Sequence, residues 1–137
     1  MDKLNIALIG AGDVASAAHM PSHADNPKAK VVAIADPDMQ SARALAERYG
    51  VEKVVADYRE LLDDGSIGAV DICTPHNLHY KITMDSLNAG KHVIIDKPIA
   101  MNLDEADTMI RTAHELGLWL LVVLNQRFMP AHRKIRE

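Results

Sequence analysis

A glycine-rich segment, GAGDVASAAHMP, follows the first apolar run of the chain. Gly10, Gly12 and Ala15 fit the spacing of the dinucleotide-binding fingerprint, whose third position accepts alanine. The first glycine permits a tight turn, the second leaves room for backbone to reach a pyrophosphate, and the alanine lets a helix lie close to the strand. Asp13, Val14 and Ala15 would begin that helix, whose free N–H groups and dipole favour phosphate. The segment predicts a nucleotide-phosphate site, with a plain glycine-rich turn as the alternative.

An acid at the end of the second apolar run indicates which nucleotide would bind. Asp36 follows the loop by roughly 20 residues, the separation expected of the residue that holds the adenosine ribose. A carboxylate accepts hydrogen bonds from both ribose hydroxyls but repels a 2′-phosphate, and the first arginine after it, Arg43, lies inside the next helix. Asp36 could instead cap that helix, although Asp38 is better placed to do so. The sequence therefore predicts NAD in preference to NADP.

Residues 94–100 read IIDKPIA, an apolar run that meets an acid, a lysine and a proline. Proline has no N–H to give to a strand ladder, so the predicted strand stops there, with Asp96 and Lys97 at its carboxyl end. Ligands of open parallel sheets bind outside the carboxyl ends of the strands. We therefore predict an ion pair of Asp96 with Lys97 at a ligand site, with a purely structural surface pair as the alternative.

Continuous apolar runs, typical of strands buried on both faces, supply the elements that position these residues. They predict strands at residues 4–9, 31–35, 54–56, 69–73, 92–95 and 119–124. Segments of helical period lie between them: 39–49 between Asp38 and Gly50, 78–89 before Gly90, and a segment from Leu103 to Gly117 capped by Asn102 with Glu105. The alternation predicts an α/β fold with a doubly wound, parallel sheet.

Composition limits the classes of function. The 137 residues are 48% hydrophobic and 25% charged, as in a globular domain, and the net charge of −4 argues against a nucleic-acid surface. No apolar run approaches the roughly 20 residues of a membrane helix, and the N-terminus shows no signal-peptide cleavage site. One cysteine, Cys73, forms no internal disulfide, so we expect a cytoplasmic protein.

The end of the chain suggests a domain boundary. Pro130 suits the first position of a new helix, and the sequence stops about two turns later. We expect residues 1–128 to form a dinucleotide-binding domain and 129–137 to begin a helix that leads to a second domain absent from this chain. A frayed terminal helix is the alternative.

Four segments, GAGDVASAAHMP, DICTPHNLHY, AGKHVIIDKPIA and NQRFMP, together resemble the N-terminal domain of the glucose-fructose oxidoreductase/inositol dehydrogenase/MocA family. The resemblance covers nearly the whole chain in the family's order and spacing. It implies a Rossmann-fold, NAD(P)-binding domain of an oxidoreductase that acts on a secondary alcohol of a sugar, cyclitol or related polyol. It also implies a second α/β domain that holds the substrate and through which the full-length protein forms homo-oligomers.

The resemblance assigns a role to Lys97. Its amine would hydrogen-bond the substrate hydroxyl and favour loss of the hydroxyl proton as hydride leaves for the cofactor. Asp96 would position that ammonium and offset its charge. The family usually has glutamate where Asp96 stands, and aspartate is one methylene shorter.

The same resemblance implies that Thr74, Pro75 and Asn77 line the cofactor groove, with His79 close by. Asn77 could instead be only a helix cap, and His79 only a polar packing residue. The resemblance leaves Arg127 either facing the active site or joining the two domains.

Other polar residues carry weaker signals. His19 and His23 are spaced to hold zinc from one helical face, but the sequence shows no third ligand and we predict no metal site. Cys73 has no partner histidine pattern and is predicted to pack in the core. Asp63 and Asp64 before Gly65 predict a turn after a short helix.

Two functions remain open from the sequence. The first is the cofactor-binding half of an NAD-dependent oxidoreductase, inactive as an isolated domain because the substrate-binding half is missing. The second is a non-catalytic nucleotide-binding or regulatory module. An intact Lys97 favours the first function, because a module that only binds nucleotide does not need it.

Overall fold

The computed structural model describes residues 3–135, which form one six-stranded parallel sheet with helices on both faces. The strand order is β3-β2-β1-β4-β5-β6. The strands are β1 (Leu4–Ile9), β2 (Ala29–Ala35), β3 (Lys53–Val55), β4 (Ala69–Ile72), β5 (His92–Asp96) and β6 (Leu120–Val123). The predicted parallel, doubly wound sheet is confirmed, and all six predicted apolar runs become strands within two residues of the expected ends.

Within the described residues, six α-helices alternate with the strands: α1 (Met20–Asp25), α2 (Met39–Tyr49), α3 (Arg59–Leu62), α4 (His79–Asn88), α5 (Leu103–Glu115) and α6 (Pro130–Ile135). The predicted caps are present. The Asp38 carboxylate accepts hydrogen bonds from the first turn of α2, and the Asn102 side chain accepts one from the Glu105 N–H at the start of α5. Gly50 and Gly117 adopt left-handed conformations after these helices, with φ of 68° and 67°.

The topology fixes where a ligand can bind. The chain begins in the middle of the sheet, adds β2 and β3 on one side, and then crosses back to place β4 beside β1. The strand order therefore reverses between β1 and β4, and the crevice outside their carboxyl ends is where sheets of this kind bind ligands. The glycine-rich segment leaves β1 at this point.

The core has one layer on each face of the sheet. One layer contains Leu8, Ile34 and Leu45, under α1 and α2. The other contains Val70, Ile95 and Met109, under α4 and α5. Each strand alternates its side chains between these two faces, which explains why the central strands are apolar in nearly every position.

The last two strands are buried differently on their two faces. In β5, Val93 and Ile95 are fully buried against the helices, whereas Ile94 between them is only partly buried. In and beside β6, Leu121 is 50% exposed and Trp119 is 68% exposed. The face of β5 and β6 opposite α4 and α5 therefore presents apolar side chains to solvent within residues 3–135.

The remaining expectations concern the last helix, the turn after α3 and membrane-spanning helices. Helix α6 begins at Pro130, as predicted, and residues 136 and 137 lie outside the described residues. Asp63 and Asp64 form the predicted turn after the short helix α3. Within residues 3–135, no helix combines the length and apolar character that crossing a membrane would require.

Candidate functional site

A groove of about 680 Å³ lies at the carboxyl ends of β1, β2 and β4. Five predicted site residues line it: Gly10, Gly12, Asp36, Thr74 and Pro75. They come from the connections after three different strands, and only the parallel order of the sheet brings them together. The other predicted residues do not line it: Asp13, Val14, Ala15, Asn77, His79, Asp96 and Lys97.

Glycine is favoured at positions 10 and 12 of the loop for two different structural reasons. Gly10 adopts φ of +98°, and a Cβ placed on it would lie 2.6 Å from the carbonyl oxygen of Cys73. Gly12 has no atom within 4 Å of the place a Cβ would occupy, so its missing side chain leaves space that opens on the groove. Gly10 is therefore required by the fold, whereas Gly12 is suited to the close approach of a ligand.

The helix after the loop begins at residue 13 and contains a π-helical turn over Ala15–His19 before α1 continues it. Ala15 is fully buried against the sheet, as predicted for the third position of the fingerprint, while Asp13 and Val14 are exposed at the first turn. The π-helical turn was not predicted from the sequence.

The Asp36 carboxylate is held by two backbone N–H groups. One oxygen accepts from Ala11 at 2.7 Å and the other accepts from Asp38 at 2.8 Å. Asp38 in turn caps α2, so the alternative that Asp36 serves mainly as the cap is not supported. Each Asp36 oxygen keeps a lone pair for a further donor, as a ribose diol requires.

A cation that sequence spacing did not reveal also lines the groove. Arg59 lies there with Asp36, although it follows Asp36 by more than 20 positions in the chain. Its guanidinium donates to the carboxylate of Asp57, with Nε 2.9 Å from Oδ1. The next arginine in sequence after Asp36 is Arg43. Arg59 reaches the groove instead, because the connection after β3 brings it back across the end of β2.

The predicted ion pair between Asp96 and Lys97 is not formed. Asp96 Oδ1 instead accepts a hydrogen bond from the backbone N–H of Lys97, at 2.9 Å. The shorter aspartate side chain folds back on its neighbour's backbone, and the exposed Lys97 ammonium makes no ion pair within residues 3–135. The peptide bond between Lys97 and Pro98 is cis.

His79, expected close to the cofactor groove or as a polar packing residue, is buried beside Thr74 of the groove wall. Its ring is fully buried, with Nδ1 2.8 Å from the Pro98 carbonyl oxygen and Nε2 3.0 Å from the Thr74 carbonyl oxygen. Both ring nitrogens are thereby occupied by backbone. His79 is not among the residues that line the groove, although Thr74 is.

Asn77 and Arg127 are both exposed, at turns after β4 and β6 respectively. The Asn77 side chain caps neither the short helical turn in which it lies nor α4. The Arg127 guanidinium lies over the ring of Phe128, 5.8 Å from its centroid. These observations assign no role to Asn77 or Arg127.

A buried polar network lies directly below the loop. Asp71 on β4 is fully buried, and its carboxylate contacts His19 Nδ1 at 2.9 Å and His23 Nε2 at 2.6 Å. Burial alone would raise the pKa of Asp71, but hydrogen bonds and charges from the two histidines outweigh it and lower that pKa. The hydrogen bond to Asp71 raises the pKa of His19 against the effect of burial. The network is therefore a buried carboxylate stabilised by histidine.

The third polar group that the sequence did not reveal for His19 and His23 is thus Asp71, and Cys73 lies beside it. Donor atoms of His19, Asp71 and Cys73 lie within 4.8 Å of one another. Two ligands of one tetrahedral zinc ion lie roughly 3.4 Å apart, so the shorter histidine–carboxylate contacts fit hydrogen bonds better. Burial, together with the nearby carboxylates, raises the pKa of the Cys73 thiol, which argues against a nucleophilic role.

The chain is similar in sequence to a known family of oxidoreductases. Residues 4–124 match the model of the oxidoreductase family with an NAD-binding Rossmann fold. The chain is 36% identical over 134 residues to D-glucoside 3-dehydrogenase of Escherichia coli, which covers 98% of this chain and 38% of that protein. It is 32% identical over 138 residues to myo-inositol 2-dehydrogenase of Thermotoga maritima, covering 98% of this chain and 40% of that protein.

Solved structures show the same fold. A 3-ketoreductase from Actinomadura kijaniata, in complex with NADP and TDP-benzene, superposes with a TM-score of 0.92 at 30% identity, over 98% of this chain and 41% of that one. The chain therefore spans about 40% of the length of the proteins that it matches. On its sequence, its topology and the groove at its strand ends, the chain belongs to the glucose-fructose oxidoreductase/inositol dehydrogenase/MocA oxidoreductase family and carries that family's NAD(P)-binding Rossmann domain.

Proposed function

We propose that the groove binds NAD and that the full-length protein transfers hydride between this cofactor and a secondary alcohol of a sugar, cyclitol or related polyol. The observation that carries the proposal is the convergence of Gly10, Gly12 and Asp36 on one groove where the strand order reverses. The substrate class is supported by relatives named for a D-glucoside and for myo-inositol.

The choice of NAD over NADP rests on Asp36. Both of its oxygens are held in place by backbone N–H groups, so the carboxylate cannot easily turn away from a ribose. A 2′-phosphate there would meet this negative charge, while Arg59 is already paired with Asp57. The Actinomadura kijaniata structure contains NADP, so relatives of this fold do not all share one preference.

Calorimetric titration of NAD and NADP into the chain tests this choice. We expect NAD to bind more tightly, and Asp36→Ser to narrow the difference by removing the repelling charge. Asp38→Ser is the matched control, because it removes a carboxylate two residues away and keeps a helix cap. Equal affinities in the wild type, or an unchanged difference in Asp36→Ser, would contradict the assignment.

Lys97 is proposed as the general base of alcohol oxidation and the general acid of the reverse reaction. The bound cofactor would accept hydride from the carbinol carbon, while the Lys97 amine takes the hydroxyl proton and a ketone forms. The exposed side chain, free of an ion pair within residues 3–135, leaves the nitrogen available to a substrate hydroxyl. Asp96 supports this role through the Lys97 backbone and not through its ammonium.

Turnover of the full-length protein tests Lys97. Lys97→Ala should lower kcat by about 10²–10⁴-fold, the usual contribution of general acid–base catalysis, with little change in NAD affinity. Lys28→Ala, at an exposed lysine away from the groove, should leave both values near wild type. If Lys97→Ala keeps normal turnover, Lys97 has no catalytic role. NAD binding without turnover in the wild type would favour a non-catalytic nucleotide-binding module.

A further inference from the structure

His79, the first residue of α4, contacts the connections that follow two neighbouring strands. Its fully buried ring approaches the Pro98 carbonyl oxygen at 2.8 Å and the Thr74 carbonyl oxygen at 3.0 Å. Thr74 follows β4 and lines the groove, whereas Pro98 follows β5 and is bonded to Lys97. One side chain therefore joins the wall of the cofactor groove to the turn that carries the proposed catalytic lysine.

The partners of His79 determine which group donates in these contacts. Carbonyl oxygens only accept hydrogen bonds, so the imidazole of His79 must act as the donor in each bond it makes. A side chain without a hydrogen-bond donor cannot replace it. An asparagine at this position offers one amide N–H close to the backbone, where Nδ1 of His79 now lies, and could keep the bond to Pro98.

The Lys97 backbone is held on both sides of its α-carbon. Its N–H donates to Asp96 Oδ1 at 2.9 Å, and the carbonyl of the next residue accepts from His79. The Lys97 side chain is exposed and makes no ion pair within residues 3–135. These contacts therefore hold the backbone from which the Lys97 side chain extends.

We propose that His79 is a positioning residue of the reaction. It touches neither cofactor nor substrate and acts by holding the Lys97 turn at a fixed place relative to Thr74. This inference rests on the proposed function, because it needs Lys97 to be catalytic. Misplacing a reacting group by about 1 Å can lower a rate on the order of 100-fold, so loss of the His79 contacts should have a large effect on turnover.

Two substitutions separate positioning from packing. His79→Phe keeps a ring in the buried site but removes every ring N–H, whereas His79→Asn keeps an amide N–H. The same two substitutions at His114, an exposed histidine of α5, provide the matched controls.

The 137-residue chain gives the first measurement, by NMR. The amide proton of Ile99 follows the Pro98 carbonyl and responds to hydrogen bonding at that carbonyl. We expect His79→Phe to shift the Ile99 and Lys97 amide resonances and His79→Asn to restore most of the shift. If both resonances stay unchanged in His79→Phe, the contact does not hold this turn and the inference is overturned.

The full-length enzyme gives the second measurement, as a double-mutant cycle with Lys97→Ala. We expect His79→Phe to lower kcat on the order of 100-fold, with the NAD dissociation constant within about threefold of wild type, and His79→Asn to recover most of that loss. In the Lys97→Ala background, His79→Phe should lower kcat no further, because the lysine through which it acts is absent. An equal loss in both backgrounds would overturn the positioning role. A wild-type enzyme without NAD binding or Lys97-dependent turnover would instead overturn the proposed function, whatever the NMR result.

Discussion

The strands β1 and β4 lie at the centre of the sheet and are called here the central half. Their residues 6–9 and 69–72 are all buried, and the buried carboxylate of Asp71 in β4 has two histidine partners. In β5 and β6, the edge half, one face packs on helices while the other leaves Trp119 and Leu121 exposed. The proposed site differs in the same way. Asp36, beside the central half, is fixed by two backbone N–H groups, whereas the Lys97 ammonium, after the edge half, is exposed. Asp36, proposed to hold the cofactor, is therefore fixed by the fold, while the proposed catalytic Lys97 and the apolar face of β5 and β6 are exposed within residues 3–135.

The largest expected effect is in the central half. Asp71→Asn should lower the free energy of unfolding by about 3–5 kcal/mol, because removing one member of a buried charged network leaves the others without compensation. Urea denaturation measures this change. Asp85→Asn, which removes a carboxylate from a partly exposed pair with Lys81, should cost less than about 1 kcal/mol. Similar losses in the two variants would show that the network does not stabilise the fold.

The same network predicts that stability depends on pH, an effect that we expect to be smaller than that of Asp71→Asn. The pKa of His19 is raised above its ordinary value of 6.5, so its contribution is fully present below about pH 6.5 and is lost as pH rises through the folded-state pKa. The pKa of Asp71 is lowered from 3.8, so its contribution is lost only in acid. Urea denaturation at pH 6 and pH 9 should show lower stability at pH 9.

Substitution of His19 provides the check on this pH dependence. His19→Gln should flatten the decrease between pH 6 and pH 9, whereas His114→Gln, at an exposed histidine, should not. A decrease that is unchanged in His19→Gln would assign it to other groups.

A third prediction concerns the glycine-rich loop that follows β1. Gly12→Val should weaken NAD binding by at least about tenfold, or about 1.4 kcal/mol, because the new side chain would occupy the space meant for the pyrophosphate. Its stability should change little, since a Cβ at Gly12 meets no protein atom within 4 Å. Gly65→Val, at a glycine with similar free space away from the groove, should leave calorimetric NAD affinity unchanged. Unaltered affinity in Gly12→Val would exclude the loop as the phosphate site.

A fourth prediction tests the exposed face of the edge half. Parallel sheets are normally covered on both faces, so the 137-residue chain should self-associate weakly through this apolar surface. Leu121→Lys should weaken the association by roughly tenfold, which corresponds to losing part of one buried apolar side chain. Sedimentation velocity over a range of concentrations measures it. Lys substitution of Ile110, an exposed residue on α5, is the control, and equal effects of the two would contradict this placement.

The sequence predicted the elements well because their signals are local. Continuous apolar runs, the caps at Asp38 and Asn102, and the glycines after helices each depend on neighbouring residues, and the structure contains them all. The fingerprint residues and Asp36 could be assigned to one site because parallel topology brings strand ends together. These predictions needed the order of the elements and no side-chain geometry.

The remaining features depend on contacts between distant segments. Asp71 lies within a predicted strand, 52 positions from His19, so its role could not be recognised before the helix was placed on β4. The ion pair predicted for Asp96 and Lys97 was wrong because the short carboxylate reaches the adjacent backbone N–H first. His79 was expected near the cofactor groove, with polar packing as the alternative, and sequence spacing could not show that its ring approaches two backbone carbonyl oxygens.

The smallest expected effect concerns a second buried polar group, beside the edge half, that lacks the partners Asp71 has. Thr83 in α4 is fully buried, and its hydroxyl makes no hydrogen bond within residues 3–135. Thr83→Val removes the unpaired hydroxyl and keeps the branched shape, so the free energy of unfolding should stay within about 0.5 kcal/mol of wild type or rise slightly. Ser86→Ala is the matched control, because the Ser86 hydroxyl donates to the Ile82 carbonyl at 2.7 Å, and it should cost about 0.5–1.5 kcal/mol. Urea denaturation distinguishes the two variants. A loss above about 1 kcal/mol in Thr83→Val would mean that the hydroxyl has a partner, and that buried polar groups beside the edge half are satisfied as completely as Asp71 is in the central half.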